Sequence, residues 1–263
     1  MTLHYEIHGP QHSDAPTVLL SSGLGGSASY WKHQLGALVA SNRRVIVYDQ
    51  HGTGRSPAEL PPNYAIADMA ADVLAILADS HTASCHFVGH ALGGLVGLQL
   101  ALDYPQTLAS LTLINAWAAP NAHSARCFNA RLSLLDACGP GAYVAAQPIF
   151  LYPAAWAQEN AELVDAEVAH ALAHFPGAAN MHARISALRE FNVQDRLPQV
   201  KCPVLVSAAL DDVLVPWTQS SLMAKELPHA SADYMPHGGH AHNITAPEAF
   251  NRTFLGFLER QPK

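Results

Sequence analysis

Three groups of residues in this chain could carry chemistry. The first is Gly89-His90-Ala91-Leu92-Gly93, set between an apolar run and a glycine-opened helix. A strand–turn–helix of this spacing projects its central residue sharply outward, as a nucleophile requires, yet Ala91 has no nucleophilic group. The second is Asp211-Asp212 in "PVLVSAALDDVLVP", at the end of an apolar run, with Pro216 four residues after Asp212. The third is His240 in "MPHGGHAHNITAPEAF", after two glycines and before a helix started by Pro247 and Glu248. A histidine oriented by a carboxylate transfers protons near neutral pH. In this arrangement His240 is the general acid/base and Asp212 fixes its tautomer. An oxyanion forming at this turn would need backbone N–H donors, and the candidates are Leu92, next after Ala91, and Leu24 in the first glycine turn.

Each group also has a plainer explanation. Asp212 could cap the helix that follows it, a common role for aspartate. His240 is one of 16 histidines and could be a solvated loop residue. His237, His240 and His242 could bind a metal, but their glycine-rich loop offers no further acid, so no metal is expected. A rival chemistry lies in Gly23-Leu24-Gly25 with Ala28, which matches the dinucleotide pattern G-x-G-x-x-G/A between a strand and a helix. Asp49 even stands at the end of the next strand. The second glycine turn, "DQHGTGRS", is superfluous to a ribose-binding loop, and the pattern leaves Gly89, Asp212 and His240 without a role. No cofactor is expected.

The elements that must position these residues alternate between short apolar runs and helical patterns, which predicts an α/β fold with a mainly parallel sheet. Strands are predicted at 17–21, 44–48, 84–88, 111–115, 204–208 and 232–235. Helices are predicted at 66–78, 92–103 and 248–258, the first with Met69, Val73, Ile76 and Leu77 inward and Asp68 and Asp72 outward. In an open parallel sheet the strand ends converge at one edge, where the three groups would meet. Between Asn115 and Val193 the alternation breaks into an Ala-rich helical stretch interrupted by prolines. The predicted organisation is therefore a core of residues 1–115 and 194–263 with a helical cap insertion at 116–193. Trp117, Phe150, Tyr152 and Trp156 are its candidate pocket walls.

The 263 residues are 49% hydrophobic and 13% charged, enough for a large buried core. A net charge of −7 and the lack of a basic patch argue against nucleic acid. No apolar run reaches membrane-spanning length, and "MTLHYEIHG" lacks the features of a signal peptide. Four scattered cysteines fit buried thiols in a reducing compartment, so the cytoplasm is expected. The expected partner is a small-molecule substrate, and a homodimer is compatible with the chain.

"VGHALGGLVG", "YDQHGTGRS", "LDDVLVP" and "GGHAHN" together resemble the α/β-hydrolase fold, in the chain order elbow, acid, histidine. "SSGLGGSASYW", "QPIFLYPAAW" and "ALAHFPG" further resemble the RutD family of the Rut pathway of pyrimidine (uracil) degradation, over nearly the whole chain. That resemblance implies hydrolysis of carbamate, or of aminoacrylate, and alanine at the elbow as a family trait. A serine triad stripped of its nucleophile loses on the order of 10⁶ in turnover. Only a reaction that already proceeds unaided suits what remains, and both compounds decay spontaneously. Two alternatives stay open on the residues alone: a carboxylesterase or enol-lactonase captured as a Ser-to-Ala variant, and an inactive hydrolase fold that only binds a ligand.

Overall fold

The computed structural model describes residues 3–12 and 15–261. The first two residues of the N-terminal stretch lie outside them, as do positions 13, 14, 262 and 263. The strands are β1 (Tyr5–His8), β2 (Thr17–Ser21), β3 (Arg44–Tyr48), β4 (Cys85–His90), β5 (Leu108–Ile114), β6 (Val204–Ala209) and β7 (Ala230–Met235). They form one sheet in the order β1-β3-β2-β4-β5-β6-β7, parallel except for β1, which runs antiparallel to β3. All six expected strands form; β4 runs on to His90, and β5 begins earlier, at Leu108. The half-buried edge strand β1 was not expected, because four residues with a central glutamate carry too little pattern.

The helices of the core are α1 (Lys32–Ala40), α2 (Ile66–Asp79) and α3 (Leu92–Asp103) before β5. Five more lie between β5 and β6: α4 (Ala122–Ala145), α5 (Gln147–Leu151), α6 (Ala154–Glu159), α7 (Ala161–Ala173) and α8 (Ala178–Glu190). The chain closes with α9 (Trp217–Glu226), α10 (His242–Thr245) and α11 (Pro247–Glu259). α4 is broken at Gly139, which sits at φ 83° ahead of Pro140, where a continuous helix could not pass.

Period-two side chains divide the sheet between two cores. Leu19, Ile46, Phe87, Leu111 and Val206 face α2 and α3, whereas Val18, Leu20, Val45, Val88 and Leu205 face the other layer. There α11 contributes Phe250, Phe254, Phe257 and Leu258, one stripe at helical spacing. In α2 the inward residues are those expected, but Asp72 is only half-exposed. It accepts a hydrogen bond from Tyr64 at 2.8 Å, and burial pushes its carboxyl up.

The strand order reverses between β2 and β4, so the turns after these two strands open side by side at the carboxyl edge. The closeness of α3 to the sheet is set by Gly93, where a Cβ would run into the Ser21 carbonyl. Gly93→Ala should therefore cost about 1–3 kcal/mol through overpacking, read as a lower urea midpoint. A midpoint unchanged from wild type would show that the helix can retreat without penalty.

Candidate active site

Ala91 sits between β4 and α3 at φ 47°, ψ −110°, a conformation that non-glycine residues rarely adopt. Such a residue costs on the order of 1–3 kcal/mol and persists only where its surroundings dictate it. Here its N–H is held by the Ile114 carbonyl at 2.8 Å. Gly89 and Gly93 pack backbone on backbone around it, and a Cβ on Gly89 would overlap the Gly93 peptide.

His240 Nδ1 and Asp212 Oδ2 lie 2.7 Å apart, with side chains 3% and 0% exposed. Asp212 Oδ1 accepts the N–H groups of Leu214 and Val215, so the same carboxylate that faces the imidazole also caps its own turn. The neighbouring Asp211 does something different: it accepts from Gly238 and Gly239 and shapes the loop that carries His240. His240, Ala91, Leu24 and Leu92 all border one cavity of about 480 Å³.

Two residues behind the imidazole carried no functional signal in the sequence. His90 stacks on Tyr30 at 4.8 Å and meets the His240 ring edge-on at 4.8 Å. Its Nε2 donates to the His240 carbonyl at 2.8 Å. The variable position of the elbow is thus a structural prop, and burial holds its imidazole well below the usual histidine range. Gly23 is matched to it, because a Cβ there would stand 2.8 Å from His90 Nδ1. Asn115, at φ 47°, donates to the His240 carbonyl at 2.6 Å and to His242 Nδ1 at 3.0 Å.

The cap helices close over the elbow. Trp117 and Tyr152 line the cavity, joined by Phe128 and Arg131 of α4 and Leu188 of α8. Phe150 and Trp156, also expected in the wall, stand outside it. Phe150 is turned onto the Arg131 guanidinium, 5.7 Å from its ring centre, and Trp156 packs behind Tyr152 at 4.8 Å. Arg184 of α8 is fully buried and donates to the Leu24 carbonyl at 3.1 Å and to Gln50 Oε1. It thereby ties the cap to the turn that presents the Leu24 N–H.

The residues of the two competing patterns have other partners. His237 is exposed, while His242 is buried between Asn115 and Ser207, so neither shares a ligand sphere with His240. Asp49 accepts from the Ala28 N–H at 2.8 Å and from Arg55 Nε at 2.7 Å, which uses its carboxylate to join two turns. All four cysteines are free thiols, but only Cys85 and Cys127 are buried as expected; Cys202 is half-buried and Cys138, beside the break in α4, is exposed.

The sheet order, the strained elbow and the Asp–His pair at one edge define an α/β hydrolase. A model of the alpha/beta hydrolase family matches residues 18–253, and the chain belongs to that family. It is 64% identical to a Variovorax paradoxus protein named "Putative carbamate hydrolase RutD", over 99% of this chain and 97% of that one. A Pseudomonas savastanoi protein of the same name is 52% identical over 98% of this chain and 100% of its own length. Among solved structures, the enol-lactonase of Burkholderia xenovorans superposes with a TM-score of 0.89 at 26% identity, covering 98% and 96% of the two chains. A hydrolase from Pseudomonas aeruginosa gives 0.86 at 28% identity, covering 97% and 93%.

The buried histidines make the fold sensitive to acid. Burial lowers His242 to about 3, so the native state leaves it neutral while the unfolded chain protonates it below about pH 6.5. Its contribution is complete above pH 6.5 and falls by up to about 1.4 kcal/mol per pH unit toward pH 3. Urea unfolding at pH 7.5 and 5.5 should show wild type losing about 1 kcal/mol more than His242→Gln between the two. Equal losses in both proteins would remove His242 as a source.

Proposed function

We propose that this protein accelerates the breakdown of carbamate, a small C–N compound of pyrimidine (uracil) degradation, by proton transfer without a covalent intermediate. One observation carries the reading: the Asp212–His240 pair is intact at 2.7 Å beside an elbow whose residue is alanine. The name carried by the two relatives supports the substrate. Four free thiols suit a cytoplasmic setting.

In the overall reaction the carbamate anion takes up one proton and yields one ammonia and one carbon dioxide. Asp212 accepts the Nδ1–H of His240 and so supports the imidazolium form. That imidazolium gives its Nε2 proton to the carbamate nitrogen. The C–N bond then breaks, its electron pair leaving with the nitrogen as ammonia, and the carboxylate carbon departs as carbon dioxide. Solvent returns a proton to His240. The N–H groups of Leu24 and Leu92 hold a carboxylate oxygen while this happens, and the cap limits access of bulk water. No step needs a hydroxyl at position 91.

His240→Ala should abolish acceleration of ammonia release over a protein-free control. Asp212→Asn should lose less than the roughly 10⁴ seen where a histidine must activate a serine. Ala91→Ser should bring no gain on carbamate, yet create weak turnover of activated esters, since acid, base and oxyanion donors would again surround a nucleophile. Rates identical to the control in every protein would leave a ligand-binding role. A large gain on esters, with none on carbamate in wild type, would mark an ancestral esterase site.

A further inference from the structure

Three arginines of this molecule are buried: Arg44, Arg131 and Arg184. Two make several hydrogen bonds each and stand outside the cavity wall, although Arg44 Nε is itself buried without a partner. Arg44 donates to Thr82, Thr17 and the Ser80 carbonyl, and Arg184 to Leu24, His51 and Gln50. Arg131 is different. At 4% exposure it makes one hydrogen bond among the described residues, from Nη2 to the Tyr143 hydroxyl at 2.8 Å. Its Nε is buried without a partner, and no carboxylate pairs with it among the described residues. The rings of Tyr143, Phe150 and Phe128 stand 5.1, 5.7 and 5.8 Å from its Cζ. Such rings attract the cation and fix its plane, but they accept none of its five N–H groups.

A buried charge without a counter-ion is costly, and this one forms part of the wall that also contains Ala91 and His240. The one carboxylate in that wall, Glu167, is already engaged: it accepts from Tyr152 at 2.7 Å and lies 3.6 Å from Lys32 Nζ. The cavity is also large for a ligand of a few heavy atoms, at about 480 Å³. Two backbone donors cannot localise so small a molecule in that space, whereas a charge in a low-dielectric wall acts across it.

We propose that Arg131 is the anion anchor of this site, taking the oxygens of a small planar monoanion of the carboxylate class. The guanidinium fork matches that geometry, and an ammonium would not. The assignment rests on the reading of the cavity as the hydrolytic site, and it makes Arg131 the residue that selects charged over neutral ligands. Because the anchor grips the carboxylate before and during the reaction alike, it acts on KM rather than kcat.

Acetate, an unreactive carboxylate, and acetamide, its neutral isostere, separate this from the turnover question. Calorimetric titration of the full-length wild type should show acetate bound about tenfold or more tightly than acetamide. Arg131→Gln should lose that preference, with acetamide unchanged, and Arg131→Lys should fall between them. With carbamate, Arg131→Gln should raise KM about tenfold and shift kcat less than about threefold. Should Arg131→Gln fail to fold, the acetate-to-acetamide ratio of Arg131→Lys decides the matter by the same criterion. Undiminished acetate preference in the variant that folds, or none in wild type, overturns the anchor whatever the turnover. Selectivity that follows Arg131 in a protein inert toward carbamate would keep the anchor and remove the proposed substrate.

Discussion

The carbonyl oxygen of His240 accepts two hydrogen bonds, from His90 Nε2 at 2.8 Å and Asn115 Nδ2 at 2.6 Å. Those donors stand at the ends of β4 and β5, and Asn115 Oδ1 accepts the Ala209 N–H at the end of β6. Three adjacent strands are thereby fastened to the backbone behind one imidazole, while Asp212 holds its ring from the other side. A glycine-flanked loop left free would sample many positions, at about 1–2 kcal/mol of backbone entropy per residue fixed. Each buried bond returns only about 0.5–1.5 kcal/mol, so it is their convergence on one peptide that holds the ring in place.

The acid and the histidine were legible in the sequence because each follows a strong strand signal and a short turn. The elbow was legible through Gly89 and Gly93, whose spacing has no purpose outside a tight strand–helix junction. The roles of His90 and Asn115 were not legible. Their shared partner is a main-chain carbonyl 150 and 125 residues away, and nothing in the local pattern records it. The cap was legible as helical but not in its facing. Successive helical residues point about 100° apart, so in the short α5 and α6 a choice between wall and outside turns on a single position. Phe150 and Trp156 fell outside for that reason. Asp72 was misjudged because Tyr64, in the turn just before α2, folds back along the helix and covers it.

The elbow keeps its strained backbone although no hydroxyl exploits it. What the turn still delivers is the amino end of α3, whose N–H groups open beside Ala91. A helix start favours negative charge. Alanine therefore removes one function of the motif and leaves the electrostatic one in place, which is the part a non-covalent reaction needs. The cost of the strain is borne by interactions outside the turn, chiefly the Ile114 carbonyl and the close contact of Gly93 with β2.

Arg184 has a bearing on how such a cap can diversify. Its guanidinium belongs to α8, yet its hydrogen bonds end on Leu24, His51 and Gln50 of the core. A cap that swung away as a rigid flap would strand a buried cation and release the Leu24 turn together. Beside α7 the contact is of another kind, a pair between exposed Lys32 and half-buried Glu167. The start of α4 is tied to the core as well, through Ser124 to the Leu214 carbonyl and His123 to the Val213 carbonyl, so the insertion is fastened at both of its ends. A chamber roof clamped at both margins has its freedom in the stretch between them, α6 and α7, and a graft that replaced the whole insertion would have to rebuild both clamps.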